Sequence, residues 1–325
     1  MDPNSLLLTA TRFMHFMKLL IFGNGQFASL FKNILTPRGH DIVIVNTDIR
    51  KLADVKSDIE ANQPDVVINT AAHTNLDWCE QHRLECFDSN VLGADTVAQA
   101  CQETNSYFMH VSTGCMQESL TPEDAHREED PANPTSFYSW TKYWADQMIM
   151  NRVSRSNLKA LILRPRQPVS GIASPRNALV KMLTFSKFID TPNSITVLED
   201  FIDTAEQMLA KKATGIFNVA NPGVMSPYRI ALLLKEYVKP ELEINLISKE
   251  ELNRMTLAQR IDSVLDCSKL VNAGVTLKPA EERLREILPQ LKKDLEARPE
   301  IFDRTNKDTI EKLSLKSVKR KASSV

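Results

Sequence analysis

The sequence has no apolar stretch that approaches the roughly 18 to 20 residues of a membrane-spanning helix, so we expect no membrane partner. It also has no excess of charge of either sign, because 40 lysines and arginines stand against 41 aspartates and glutamates. This balance gives no reason to expect a nucleic-acid partner. With 42% apolar residues, a chain of 325 residues can bury the core of one large domain or of two intimately joined domains.

Cysteine pairs at metal or redox spacing are absent as well. The five cysteines are irregularly spaced and include no Cys-x-x-Cys pair, which argues against a disulfide framework. We interpret them as reduced thiols and expect a cytoplasmic location. No group of histidine, cysteine and acidic residues has the spacing of metal ligands, so we expect no structural metal.

The two ends of the chain differ from its middle. Residues 1–16 mix apolar and polar residues and precede Met17-Lys18, itself a natural start, so we interpret them as an N-terminal extension. Residues 301–325 are expected to form a basic, disordered tail, since four lysines and arginines occur among the last ten residues.

A glycine-rich turn follows the first apolar run. Residues 19–22 are apolar, residues 23–28 read GNGQFA, and apolar residues then recur at helical spacing. Strand, turn and helix in this order predict a dinucleotide site in which the helix amides face the pyrophosphate. The residues predicted to hold the cofactor in this turn are Gly23, Asn24, Gly25, Gln26 and Phe27.

The second and third predicted strands end in further candidate ligands. Asp48 and Arg50 follow the second strand, where the adenosine ribose is expected. An acidic side chain there favours NAD and an arginine favours the phosphate of NADP, so both cofactors stay open, and Arg50 favours NADPH over NADH. After the third strand, Thr70, Ala71 and Ala72 are predicted to contact the cofactor and His73 the substrate.

The alternation of strands and helices predicts the fold. Residues 17–168 indicate an α/β domain with a Rossmann-like, doubly wound parallel sheet. From residue 169 to residue 300 the alternation weakens, which indicates a smaller C-terminal substrate-binding lobe with segments that return to the first domain.

Tyr138 and Lys142 form the candidate catalytic pair. They are four residues apart, so they share one face of a helix. A lysine in this position favours the phenolate and lowers the phenol pKa from about 10, and it can also hydrogen-bond the ribose of a nicotinamide cofactor. The spacing alone is commonly a coincidence on an exposed helix. The glycine turn, and Thr113 at the end of a fourth strand, favour the catalytic interpretation.

Longer runs resemble a known family. They are VINTAAHT at 67–74, DWCE at 77–80, TGC at 113–115, SFYS at 136–139, PRN at 175–177 and DCSKL at 266–270. Over most of residues 17–290 the chain resembles the extended short-chain dehydrogenases/reductases, in particular the dTDP-4-dehydrorhamnose reductases and the plant-type bifunctional UDP-4-keto-6-deoxyglucose 3,5-epimerase/4-reductases of rhamnose synthesis. The glycine turn departs from the Gly-x-x-Gly-x-x-Gly of that family, being one residue shorter and ending in Ala28.

The resemblance implies an NADPH-dependent oxidoreductase that reduces the C4 ketone of a UDP- or dTDP-4-keto-6-deoxyhexose, with 3,5-epimerase (isomerase) activity. Tyr138 is then the proton donor, Lys142 its electrostatic support and a cofactor contact, and Thr113 the hydroxyl that orients the carbonyl oxygen. Epimerisation is assigned to Cys115 and Lys181, because a thiol beside a cation can act as a base. The remaining predicted substrate contacts are Arg176, Asn177 and Asn193, any of which could equally be a cap or turn residue.

Two alternatives remain open at this point. One is a single-function 4-reductase that depends on a separate epimerase. The other is a non-catalytic nucleotide-binding subunit on the same fold, like the regulatory β subunit of methionine adenosyltransferase. The candidate partners are the nucleotide sugar, an upstream 4,6-dehydratase and a second copy of the chain in a homodimer.

Overall fold

The computed structural model describes residues 16–307. The strands are β1 (Lys18–Phe22), β2 (Asp41–Val45), β3 (Val66–Asn69), β4 (Tyr107–Val111), β5 (Ala160–Pro165), β6 (Pro168–Val169), β7 (Lys187–Phe188), β8 (Asn193–Val197), β9 (Gly215–Val219), β10 (Asn221–Met225) and β11 (Asn245–Leu246). The helices are α1 (Gln26–Leu35), α2 (Leu52–Asn62), α3 (Leu76–Gln81), α4 (Arg83–Phe87), α5 (Gly93–Glu103), α6 (Phe137–Arg155), α7 (Ala178–Met182), α8 (Leu198–Ala210), α9 (Pro227–Tyr237), α10 (Lys249–Met255), α11 (Ser268–Asn272) and α12 (Ala280–Ala297). A 3₁₀ turn (Thr36–Arg38) follows α1, and a π-helical turn (Asp88–Leu92) joins α4 to α5.

Six of these strands form one parallel sheet in the order β2-β1-β3-β4-β5-β9. The chain moves outward from β1 to β2 and then returns to the other side of β1 with β3. In an open parallel sheet this reversal leaves a crevice beyond the carboxyl ends of the strands, where ligands bind. The predicted α/β fold with a Rossmann-like parallel sheet is confirmed.

Helices cover both faces of this sheet, which explains why its strands read as continuous apolar runs. On one face, α1 and α8 bury Phe31 and Phe201 against β1 and β5. On the other face, α2, α5 and α6 bury Val97 and Ile149 against the same strands. The sequence therefore needs apolar residues on both sides of every central strand.

A buried ion pair ties α6 to β5. Nε of Arg164 donates to Oδ2 of Asp146 across 2.8 Å, and the two side chains are only 3% and 0% exposed. Nη1 of Arg164 also donates to the backbone carbonyl of Glu128. The pair fixes the middle of α6 on the strand that ends beside the catalytic groups.

The second half of the chain builds a smaller layer on the carboxyl edge of the sheet. It contains a three-stranded sheet, β10-β8-β6, and a two-stranded sheet, β11-β7. Together with α7, α9 and α12 they enclose a separate apolar core around Leu179, Ile195 and Leu288. Two elements of this half lie with the first: β9 pairs with β5, and α8 packs into the first core.

The first and last described residues fall within the segments predicted to be an N-terminal extension and a C-terminal tail. Residues 299–307 are helical and Ile301 is buried in the second core, so ordered structure continues past the predicted start of the tail at residue 301. Residues 308–325 of that tail, and residues 1–15 of the predicted extension, lie outside the described residues. Between residues 16 and 307, no helix is long and apolar enough to span a membrane, and no group of three or more histidines, cysteines and acidic residues could hold a metal ion.

Candidate active site

The glycine turn lies where β1 ends and is packed against the segment that follows β3. Gly23 has a φ of +98°, and a Cβ on it would lie 2.8 Å from the backbone nitrogen of Ala71. Only glycine fits there without moving the backbone. Gly25 precedes α1 without a side-chain cap, so the first amides of the helix remain available to an anion such as a pyrophosphate.

Arg176 and Phe27 stand at this turn with different contacts. Nη1 of Arg176 donates to the carbonyl of Asn24 across 3.3 Å, and the side chain is exposed. Arg176 therefore brings a positive charge from the second lobe to the place where a diphosphate would lie. The ring of Phe27 packs edge-on against Phe201, with 5.1 Å between centroids, so its side chain anchors α1. Nε2 of Gln26 is buried without a hydrogen-bond partner among the described groups.

The loop after β2 pairs the two residues that were expected to select the cofactor. Arg50 donates from Nε and Nη2 to the two carboxylate oxygens of Asp48, at 2.8 and 2.7 Å. This fork lowers the pKa of Asp48 to about 2. The two charges satisfy each other, so the geometry of this loop alone favours neither NAD nor NADP.

The segment after β3 is held by short-range hydrogen bonds. Thr70 donates to the carbonyl of Phe22 across 3.0 Å, and Ala71 donates to the side chain of Asn69. Together with Ala72 they lie at the carboxyl edge beside the glycine turn. The contacts place these predicted cofactor residues on one side of the crevice.

His73 is fixed by an aromatic stack and by Asn90. The rings of His73 and Trp78 lie 4.2 Å apart, and Trp78 stacks on His82 at 4.5 Å. The side chain of Asn90 bonds both the amide and the carbonyl of His73. Burial and the charge of Arg50 lower the pKa of His73, so its ring is neutral at neutral pH.

Thr113, Tyr138 and Lys142 meet at the junction of β4 and α6. Ser136 caps α6 by accepting from the amide of Ser139, which starts the helix immediately before Tyr138. The hydroxyl of Thr113 is hydrogen-bonded to the phenol of Tyr138. Tyr138 and Lys142 are only 9% and 2% exposed, so both lie inside the protein.

The expected lowering of the phenol pKa is wrong. Burial raises the pKa of Tyr138 above its ordinary value, Cys115 adds to the rise, and the bond from Thr113 opposes it. Lys142 does not give the phenol the expected electrostatic support, because its ammonium donates to the carbonyl of Val111 at 2.8 Å and to Nε2 of His110 at 2.9 Å. Tyr138 thus keeps its proton at neutral pH, which is the form required of an acid.

Burial lowers the pKa of Lys142 to about 8, while the charge of Asp146 partly opposes this shift. His110 is itself fully buried, and burial together with Lys142 holds its pKa well below the ordinary value. An ammonium can only donate, so the neutral imidazole accepts the bond. The lysine is accordingly a cation at pH 7 and loses its proton in mild alkali.

We expect the rate of ketone reduction to fall as pH rises through about 8, because the cation at Lys142, the predicted contact of the cofactor ribose, is present only below its pKa. The measurement is the pH profile of kcat, followed by NADPH absorbance. In Lys142→Arg the guanidinium stays charged, so this alkaline limb should disappear when each profile is scaled to its own maximum. Identical limbs in both proteins would assign the titration to another group.

Cys115 lies beside Tyr138 and contacts an arginine. Its amide donates to Oγ1 of Thr113 at 3.3 Å, and Nη1 of Arg166 donates to its sulfur at 2.9 Å. The intervening Gly114 packs against Leu265, whose side chain would have to move for a larger residue, since a Cβ there would lie 2.5 Å from its Cδ1. The predicted epimerase thiol therefore has the nearby cation that its chemistry needs.

Three other predicted residues have different surroundings. Asn177 is fully buried, caps α7 and bonds the carbonyls of Ser170 and Ile172, so its predicted contact with the substrate is not supported by this geometry. Asn193 is likewise fully buried, and its side chain holds Arg166 instead of facing the crevice. Lys181 lies on the exposed side of α7.

Arg166, His110 and Asn90 were missed as site residues. Arg166 had a usable signal, since it directly follows an apolar strand and so lies at the edge where ligands bind. His110 is the penultimate residue of the fourth strand and lies near the same edge. Asn90 lies within the π-helical turn and gave no local signal; it bonds Thr141 one residue before Lys142.

The parallel sheet, the glycine turn and the Thr113, Tyr138 and Lys142 group define a member of the extended short-chain dehydrogenase/reductase class. The chain belongs to the RmlD substrate binding domain family, whose model matches residues 17–293.

Relatives and solved structures agree with this family. A bifunctional dTDP-4-dehydrorhamnose 3,5-epimerase/dTDP-4-dehydrorhamnose reductase of Arabidopsis thaliana is 31% identical over 276 residues, covering 82% of this chain and 90% of the relative. The trifunctional RHM1 of the same plant is 32% identical, but the match spans only 39% of its length and 78% of this chain. The crystal structure of the L780 UDP-rhamnose synthase of Acanthamoeba polyphaga mimivirus matches with a TM-score of 0.78 at 29% identity, over 85% of this chain and 99% of that chain.

Proposed function

We propose that this protein reduces the C4 ketone of a UDP- or dTDP-4-keto-6-deoxyhexose with NADPH, and that it also inverts C3 and C5, giving an activated rhamnose. The observation that carries the proposal is the single cluster of Thr113, Tyr138 and Cys115, with Lys142 behind it, at the carboxyl edge of the sheet. The name of the Arabidopsis relative contains both activities, and the mimivirus protein is named a UDP-rhamnose synthase. One chain with both a proton donor and a thiol suits both steps.

The residues fit a dinucleotide cofactor. A Cβ at Gly23 would fill the cradle beside Ala71, and the uncapped start of α1 presents amides to a pyrophosphate. Gly23, Gly25, Thr70 and Ala71 would hold the cofactor, which supplies the hydride when bound. Arg50 offers a cation for a ribose phosphate once it exchanges Asp48 for that group, and in this way the loop would accept NADPH.

Different side chains would carry out the separate chemical steps on the sugar. Tyr138 gives its proton to the C4 oxygen as that oxygen gains negative charge, and Thr113 orients the oxygen through its hydroxyl. The ketone acidifies the hydrogens on C3 and C5, so Cys115 can remove one of them. Arg176, exposed above the glycine turn, would bind the sugar or a diphosphate there.

The test is to incubate the protein with NADPH and each 4-keto-6-deoxy nucleotide sugar in D₂O. We expect NADPH consumption and deuterium at C3 and C5 of a rhamnose product, measured by absorbance and NMR. Reduction that needs an added 3,5-epimerase would favour the single-function reductase. Cofactor binding without consumption of either substrate would favour the non-catalytic subunit.

A 4,6-dehydratase must supply this substrate, because a 4-keto-6-deoxy sugar arises by loss of water from the parent hexose. The trifunctional Arabidopsis relatives carry a 4,6-dehydratase activity in their names. We therefore propose such an enzyme as the upstream partner. A homodimer and a cytoplasmic location stay predictions.

A further inference from the structure

The sulfur of Cys115 is in direct contact with a buried guanidinium. Nη1 of Arg166 lies 2.9 Å from Sγ, and Arg166 is only 6% exposed. This inference rests on the proposed function. We propose that Arg166 is the positioning residue that holds Cys115 as a thiolate. Cys115 is then the base that removes a proton from C3 or C5.

The guanidinium is held from its other side, so it cannot turn away from the sulfur. Its Nη2 donates to Oδ1 of Asn193 and to the carbonyl of Ile261, both at 2.5 Å. Asn193 is in turn fixed by Asp262, whose carboxylate accepts from it at 2.6 Å. The buried asparagine thus acts on the thiol through the arginine.

The charge of Arg166 has no carboxylate partner within ion-pair distance among residues 16–307. The neighbouring carboxylate of Asp262 is bonded instead to Asn193 and to the ammonium of Lys249, at 2.9 Å. A buried cation without a counter-ion is unfavourable, and an anion at Cys115 would compensate it. Tyr138, the other titratable group facing the sulfur, keeps its proton and is neutral.

The proton-transfer step balances with these groups. The thiolate takes the proton from the carbon, an S–H bond forms, and the electron pair of the C–H bond moves into the enolate, whose oxygen lies at Thr113 and Tyr138. A second acid on the opposite face, for which Lys181 is the sequence candidate, returns a proton and inverts the centre. The thiol then loses its proton to solvent, and no oxidant or reductant is consumed.

The first test needs no substrate. Cys115 is half-buried and reachable by iodoacetamide, and peptide mass spectrometry separates it from the other four cysteines. We expect Arg166→Gln to move the midpoint of the alkylation pH profile upward, which lowers the rate at pH 7 severalfold. Arg166→Lys keeps the charge and should stay near wild type.

Matched controls separate charge from structure. Arg260→Met removes a neighbouring arginine that pairs with Asp77 and should leave the alkylation profile of Cys115 unchanged. Cys267, whose thiol pKa is raised by burial to about 12, should react equally slowly in all variants. Equal profiles for the glutamine and lysine variants, or no shift in either, would overturn the proposal.

The second test measures the two activities separately. Arg166→Gln should lower deuterium exchange at C3 or C5 severalfold, following the thiolate fraction, while reduction of an already epimerised 4-keto sugar keeps its kcat. Parallel loss of both activities would give Arg166 a structural role only. Wild-type protein that neither exchanges nor reduces would refute the proposed function, whereas the alkylation shift would still support the coupling of Arg166 to Cys115.

Discussion

Replacing Tyr138 with phenylalanine is expected to lower kcat for ketone reduction by about a thousandfold, within the roughly 10²- to 10⁴-fold that general acids contribute. The phenol is buried, burial raises its pKa, and Thr113 is bonded to it, so it carries the proton that the C4 oxygen must receive. Phenylalanine keeps the ring and its packing against Cys79 and Cys86 but has no proton to give. The rate is followed by NADPH absorbance at saturating substrate.

Tyr143→Phe is the matched control, because Tyr143 lies on the same helix and its ring contacts Trp140 instead of the catalytic group. This variant should reduce the ketone at the wild-type rate. In Tyr138→Phe, deuterium exchange at C3 or C5 should persist, since Cys115 and Arg166 remain in place. If Tyr138→Phe reduced the ketone as fast as Tyr143→Phe, another group would be the proton donor.

The parts of the site that the sequence predicted are the local ones. The glycine turn follows from an apolar strand, a tight turn and a helical pattern within a dozen residues, and the structure places it at the end of β1. Tyr138 and Lys142 share a helical face because of their spacing alone. The parallel sheet follows from the alternation of strands and helices.

The side-chain contacts that the sequence did not predict depend on which elements are neighbours in the folded chain. Arg166 reaches Cys115 across 51 residues of sequence, and Lys142 reaches His110 across 32. The first contact exists because β4 and β5 are neighbours in the sheet. The second exists because α6 packs over β4. No local pattern encodes either arrangement. For the same reason Lys142 bonds β4 in preference to the phenol. Burial raises the pKa of Tyr138, whereas a lowering was expected.

Burial decided the role of the two asparagines. An asparagine can cap a helix, join a buried network or bind a sugar, and the residue type is the same in each case. Asn177 and Asn193 are both fully enclosed and bonded to protein groups, which sequence patterns around them did not reveal. Asn193 still reaches the chemistry, although through Arg166.

The buried pair of Arg164 and Asp146 provides the largest expected effect on stability. Arg164→Met should lower the free energy of unfolding by about 3 to 5 kcal/mol, because it leaves the fully buried carboxylate of Asp146 without its counter-ion. Oδ1 of that carboxylate already has no hydrogen-bond partner among the described groups, so no other donor is at hand. Urea denaturation followed by circular dichroism measures the loss.

The double variant Arg164→Met/Asp146→Val should recover most of that stability, since two apolar side chains of nearly the same total volume then pack together without desolvated charge. Recovery should be incomplete because the carbonyl of Glu128 also loses the bond from Arg164. The exposed pair of Arg229 and Glu281 is the control, and Arg229→Met should cost at most about 1 kcal/mol. Equal losses in the single and double variants would show that Arg164 stabilises α6 and β5 through packing and its bond to Glu128, and not through its charge.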